Sequence, residues 1–263
     1  MDKILTNKFV IISLLTIGLI IPLVMITNTI YERTEYKEQA SREIAKSWTA
    51  AQSIMGPLLI IAYDYDKEVS QWDAQVAKNV VTTKLASGKI YLLADKLSIS
   101  TDIKNEYRSK GIYQIPVYAS DSSISGSFSV KQWQQKQSEI ENRLRNVVWK
   151  TPTFSFQLTD TRGIGNQPQL NWHNEKLSFR AGSQGISSSS GLHAELPPIT
   201  GEDTDDLPFS FELSLRGMSA LKFIPTAGET HIDITSDWPH PAFEGAFLPI
   251  NRTITENGYN ASW

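Results

Sequence analysis

The chain has 263 residues, a formal net charge of −3 and a pI of about 5.9, so no basic field recommends nucleic acid as a partner. It contains no cysteine, which excludes disulfides, zinc–thiolate sites and cysteine nucleophiles. Its length allows one large domain or two small ones with real cores.

Residues 9–31 carry no charge, and the first eighteen read FVIISLLTIGLIIPLVMI. Roughly 20 helical residues cross the ~30 Å hydrocarbon core of a bilayer. A transmembrane anchor is expected here, with Phe9, Ile12, Leu15, Leu19, Pro22 and Ile26 among its residues. Ser13 and Thr16 can bond back to helix carbonyls, and a membrane helix tolerates the kink expected at Pro22. A cleaved signal would have a shorter apolar core and small residues at its cleavage site, so the anchor is read as uncleaved. Lys3 and Lys8 precede it; Arg33, Lys37, Arg42 and Lys46 follow it. That count does not favour a cytoplasmic N-terminus, but a large following domain translocates largely regardless of charge. The expected topology is residues 1–8 cytoplasmic, 9–31 spanning and the bulk outside.

Residues 32–55 are rich in good helix formers, with Ile44, Trp48, Ala51 and Met55 at helical spacing, and read as a helical stalk ended by Gly56-Pro57. Residues 56–263 read as a β-rich domain. The run LLIIAYDY is expected to be a buried central strand. Residues 66–87 are ambiguous, and KIYLLADKLSISTDIKNEYRS reads as two strands or one bent one. Residues 130–148 break the pattern: Trp133, Gln137, Ile140, Leu144 and Val147 share one face of an amphipathic helix resting on a sheet.

Strands then return. TFSFQLTD alternates, RGIGNQPQ is a turn, and QLNWHNEKLSFRAG is a hairpin around Asn174-Glu175. FSFELSLRG, SALKFIPTAG and ETHIDITSDW are expected to form an antiparallel meander, with Phe209, Phe211, Leu213 and Leu215 on one face. Asn257-Gly258 marks a closing hairpin. Because the chain stops in that hairpin's second arm, its C-terminus is expected to be truncated. The fold class is therefore mainly β (α+β), antiparallel, with an N-terminal transmembrane helix and one short amphipathic helix.

No spacing nominates a catalytic residue, cofactor site or metal site. His173, His193, His231 and His240 lack HxH, HxxxH or HExxH spacing. Glu202, Asp203, Asp205 and Asp206 do not fit a calcium loop. The lone GxG at Gly163–Gly165 is followed by no helix and reads as a sharp turn. The most distinctive segment is SDWPHPAFEGAFLP, residues 236–249. Two prolines bracket His240, and Asp237, Trp238, His240 and Phe243 form a candidate interaction loop; packing as a rigid corner is the plainer alternative.

TDTRGIG at 159–165, SDWPHPAFEGAFLP and the closing NGYNASW, with IIPLVMI and MGPLLIIA near the start, resemble the CreD family of inner-membrane proteins. The resemblance covers essentially the whole chain. It implies a Gram-negative inner-membrane protein with a large periplasmic domain, tied to envelope integrity, envelope stress signalling and altered β-lactam and colicin tolerance. It also implies further membrane helices after residue 263, and it supplies no catalytic residue or cofactor. The expected function is non-enzymatic, with the membrane and an envelope protein or glycan as partners. The alternatives are an envelope hydrolase using Asp237 and His240, or a glycan-binding module presenting Tyr113, Tyr118 and Trp172.

Overall fold

The computed structural model describes residues 2–73, 78–173, 175–184, 190–199 and 206–263. The chain forms two compact units: residues 1–47 with 107–115, and residues 48–106 with 116–263.

The first unit is built on α1, Asp2–Ser47, which contains Pro22. One 18-residue window of this helix has mean hydropathy 2.9, and none of it is buried. Helices form because every backbone donor finds an internal acceptor, the only arrangement a single segment can adopt in hydrocarbon. Its hydroxyls follow the same logic: Thr16, Thr27 and Thr29 each donate to the carbonyl four residues back, at 2.8–3.0 Å. The helix ends at Ser47, so the expected stalk is shorter than 32–55. Trp48, Ala51 and Met55 are not on a helical face, because the chain is already extended from Gln52. The unit's other part is the tip of a β-hairpin. There Lys110 pairs with Glu43 at 2.9 Å, and the bond holds the Glu43 carboxyl below the usual range.

The second unit rests on two long strands, β1 (Gln52–Asp73) and β2 (Lys78–Lys110). Gly56-Pro57 lies inside β1, with a cis peptide bond, rather than ending a helix. Leu58, Leu59, Ile60 and Ile61 are 1–3% exposed, as a strand covered on both faces requires. Of the ambiguous residues 66–87, those at 66–73 and 78–87 are the outer arms of the β1–β2 hairpin, paired antiparallel from Leu58↔Leu93 to Asp73↔Lys78, and 74–77 lie outside the described residues.

β2 is one bent strand. Its burial alternates on even positions through Leu92 and Ala94, then on odd positions through Leu97, Ile99, Thr101 and Ile103. Its neighbours change at the same point, from β1 up to Leu93 to a parallel partner, β12 (Ala227–Ser236), from Ala94. The slip at Asp95-Lys96 therefore carries the strand from one sheet into the other.

The first sheet also holds β5 (Thr153–Leu158), β9 (Gly191–Glu195) and β11 (Leu221–Ile224). The second holds β3 (Tyr113–Phe128), β6 (Gln169–Trp172), β10 (Leu207–Met218), β13 (Asn251–Thr255) and β14 (Gly258–Ser262). Aromatic side chains join them: Phe154 and Phe156 of β5 meet Phe209 and Phe211 of β10 at centroid distances of 5.0–6.0 Å. Phe209, Phe211, Leu213 and Leu215 share the buried face, as their spacing predicts. β5 departs from its alternation. All six of its residues are buried: Phe154 and Phe156 face β10, and the polar face is covered as well, with Ser155 Oγ 3.5 Å from Ser183 Oγ.

The expected meander does not form. β10 pairs with β3 and β6, whereas β11 and β12 add parallel to β1 and β2. The Gly-containing links are local turn signals and do not decide pairing with strands more than a hundred residues away. The amphipathic helix is α2, Val130–Arg143, with Trp133 and Ile140 buried. It ends four residues before Val147, which lies in β4 (Arg145–Trp149) beside β1. The hairpin expected around Asn174-Glu175 forms between β6 and β7 (Glu175–Ser178), although Asn174 itself lies outside the described residues. The acidic run at Glu202, Asp203 and Asp205 also lies outside them.

One buried side chain ties three segments together. Gln52 donates to the carbonyls of Asp160 (3.1 Å) and Arg216 (3.2 Å) and accepts from the Asp160 amide (3.2 Å). Gln52→Leu is expected to lower unfolding stability by about 2–3 kcal/mol, since it orphans buried polar groups without much change in volume. Denaturant unfolding of the detergent-solubilised chain checks this; a change within error would show that the junction holds without Gln52.

Candidate functional site

The segment at 236–249 leaves the end of β12 and returns to the β13–β14 hairpin, which pairs back on β12. Asn105 holds its first residues. The Asn105 side-chain amide donates to Ser236 Oγ (3.0 Å) and to Asp237 Oδ1 (2.6 Å), and its backbone amide also reaches Asp237 Oδ1 (3.0 Å). Trp238 donates its backbone N–H to Ser236 Oγ (3.2 Å) and its indole N–H to the His240 carbonyl (2.7 Å). The two prolines leave few backbone donors here, so side chains close the turn.

Phe243 pins the middle of the segment, edge-on to Tyr259 (5.5 Å) and Trp263 (5.6 Å). The indole of Trp263 donates to the Phe247 carbonyl at 3.1 Å. Gly258 (φ +138°) allows β14 to run close to the Ser236 carbonyl, where a Cβ would collide. Burial pushes the Tyr259 hydroxyl up from its ordinary value, against a hydrogen bond to Ser236.

The four predicted loop residues therefore divide. Trp238 and Phe243 close the loop, Asp237 is clamped by Asn105, and His240 is exposed, its ring edge-on to Trp238 at 6.4 Å. Asp237 and His240 share no hydrogen bond, so the pair a hydrolase would need is not assembled. The row of rings required for a glycan platform is also not presented: Tyr118 is 7% exposed and Trp172 2%, both within the core. The Tyr118 hydroxyl, pushed up by burial, donates to the Ala220 carbonyl.

What the loop does present is a ridge that its sequence does not single out. Phe247, Leu248 and Ile250 are 73%, 62% and 81% exposed. The one signal in the sequence is an apolar run, AFLPI, with no period that would bury it.

The TDTRGIG motif has a structural part. Asp160 caps a short 3₁₀ turn, Thr161–Gly163, by accepting from the Arg162 amide at 3.0 Å, and its carboxylate also pairs with the Arg162 guanidinium at 2.6 Å. These bonds hold the Asp160 carboxyl below its ordinary range. A group depressed in the folded state adds stability above its unfolded value of about 3.9 and loses it as pH falls through the folded value. The thermal midpoints of wild type and Asp160→Asn should differ at neutral pH and converge under acid conditions; parallel curves would exclude the linkage.

Residues 4–263 match the family described as "Inner membrane protein CreD". The chain belongs to the CreD family. A relative from Escherichia coli K12, described as "Inner membrane protein CreD", is 28% identical over 247 residues, covering 93% of this chain and 52% of the relative. The chain thus spans about half the length of that CreD protein. No solved structure matches it. As a CreD-family chain it is an inner-membrane protein with one apolar N-terminal helix and a mainly antiparallel β body.

Proposed function

We propose that this chain contributes to cell-envelope integrity and the envelope stress response by binding, not by catalysis, from the periplasmic side of the inner membrane. Family membership together with the unburied apolar helix of residues 9–31 carries this reading. The N-terminus is cytoplasmic, and the β-rich body forms the periplasmic part. The ridge at Phe247, Leu248 and Ile250 is the contact surface, because a locally ordered loop that exposes large apolar groups is suited to a partner of complementary shape.

Two measurements test this. Protease added to spheroplasts should digest the β body and spare an N-terminal tag; a protected body would overturn the topology. The double change Phe247→Ser and Ile250→Ser should leave the thermal midpoint unchanged, since both side chains face solvent, and should abolish rescue of envelope permeability in cells lacking the protein. Full rescue would remove the ridge as the contact surface.

A further inference from the structure

We propose that the tip of the β2–β3 hairpin lies on the bilayer at the headgroup level, with Ile112 in the interface as a second membrane contact beside the helix. This rests on residues 9–31 being the span.

Three observations within the first unit lead there. The Tyr113 hydroxyl reaches the Arg33 carbonyl at 3.5 Å. Arg33 is two residues past Tyr31, about 3 Å further along the axis, and Glu32 and Arg33 are the first charges after the uncharged run. That level is where a bilayer changes from hydrocarbon to headgroups. From the other arm Lys110 pairs with Glu43, ten residues and about 15 Å further along the helix axis, so the hairpin lies along the helix with its Tyr113 arm reaching back to the Arg33 level.

The second observation is the turn itself. β2 ends at Lys110 and β3 begins at Tyr113, leaving Gly111 (φ +59°) and Ile112 as a two-residue connection. With glycine in the first position and no positive φ at the second, this is a Gly-X connection, whose second residue is commonly polar where the turn faces water. Here the second position is isoleucine, 82% exposed. A lone exposed apolar residue is ordinary on a soluble surface; at this turn, and at this level of the helix, an apolar medium accounts for it.

The third is the company it keeps. Tyr31, Tyr36 and Tyr107 of the same unit are 70%, 52% and 58% exposed. Exposed tyrosines, with an apolar ring and a polar hydroxyl such as that of Tyr36, which reaches Glu32 Oε1 at 3.5 Å, suit the zone where one end is apolar and the other wet. The occupant is therefore lipid: headgroups around the tyrosines and upper acyl carbons around Ile112.

The absence of cysteine makes the test direct. Single variants Leu19→Cys, Ile112→Cys and Arg42→Cys of the full chain are labelled with an environment-sensitive fluorophore and reconstituted in phosphatidylethanolamine–phosphatidylglycerol vesicles. Each site is exposed, so labelling does not disturb packing. With a lipid-borne quencher near the headgroup, the Ile112 label should lose roughly half its emission or more, as expected for a residue at the headgroup–acyl boundary. The Leu19 label should be quenched by deeper probes, and the Arg42 label, on helix beyond Arg33, by neither. If the Leu19 label is quenched while the Ile112 label behaves like that at Arg42, the inference is overturned and the span stands. If the Leu19 label is also unquenched, the span fails and the inference fails with it.

Discussion

Replacing Phe154 with alanine is expected to cost about 3–5 kcal/mol of unfolding stability, enough to leave little folded protein at physiological temperature. Phe154 is fully buried at the centre of β5. Its ring lies 5.3 Å from Phe209, 5.9 Å from Phe179, 6.0 Å from Phe211, 6.2 Å from Phe128 and 6.3 Å from Trp172. Those partners belong to the facing sheet or to the segment beside it, so one truncation opens a cavity between the two layers. Strands hydrogen-bonded on both sides of β5 prevent the backbone from collapsing to fill it. Denaturant unfolding followed by tryptophan emission measures the loss, with Val148→Ala as a control because Val148 is 63% exposed. A Phe154→Ala cost as small as the control's would mean that the two layers do not depend on this contact.

Leu15→Asp combined with Leu19→Asp is expected to move the chain from the membrane fraction to the soluble or degraded fraction. A carboxylate near the centre of an inserting helix costs about 2.5–3.5 kcal/mol, so two together cost about 5–7 kcal/mol before the lost leucines are counted. Both positions lie in the exposed, uncharged part of α1, seven or more residues from Lys8 and from Arg33. Alkaline carbonate extraction reads the outcome, and Leu15→Val with Leu19→Val should remain membrane-bound. Retention of the double aspartate variant in the membrane would show that residues 9–31 are not what holds this chain there.

These two effects differ in how far the sequence announces them. Leu15 and Leu19 can be named from the sequence because membrane insertion depends on composition summed over a window, and a window is local. Phe209, Phe211, Leu213 and Leu215 can be placed on one face for a similar reason, since a strand's side chains alternate whatever pairs with it. Phe154 reads correctly as core, but its neighbours Ser155 and Gln157 read as solvent-facing and are 0% and 4% exposed. Nothing in TFSFQL states that the polar face of the strand will be covered too. The loop at 236–249 is recognisable as distinctive, yet its exposed side chains are Phe247, Leu248 and Ile250, while Trp238 and Phe243 close it from within. Prolines mark where a chain turns; they do not say which aromatic ring faces inward.

By itself the sequence determined the apolar helix, the β character of residues 56–263, the amphipathic α2 and the closing hairpin. Each is written in a local signal: the composition of one window, a periodicity or a turn. Only the tertiary structure decided the partners. It placed β11 and β12 parallel to β1 and β2 instead of beside β10, sent β2 from one sheet to the other at Asp95-Lys96, and made Gln52 the junction of three segments. It also set Tyr113 at the level of Arg33, eighty residues away. Strand pairing is a competition among distant segments of similar propensity, settled by which arrangement buries the most apolar surface and leaves the fewest unpaired backbone groups. That comparison exists only for the whole folded chain.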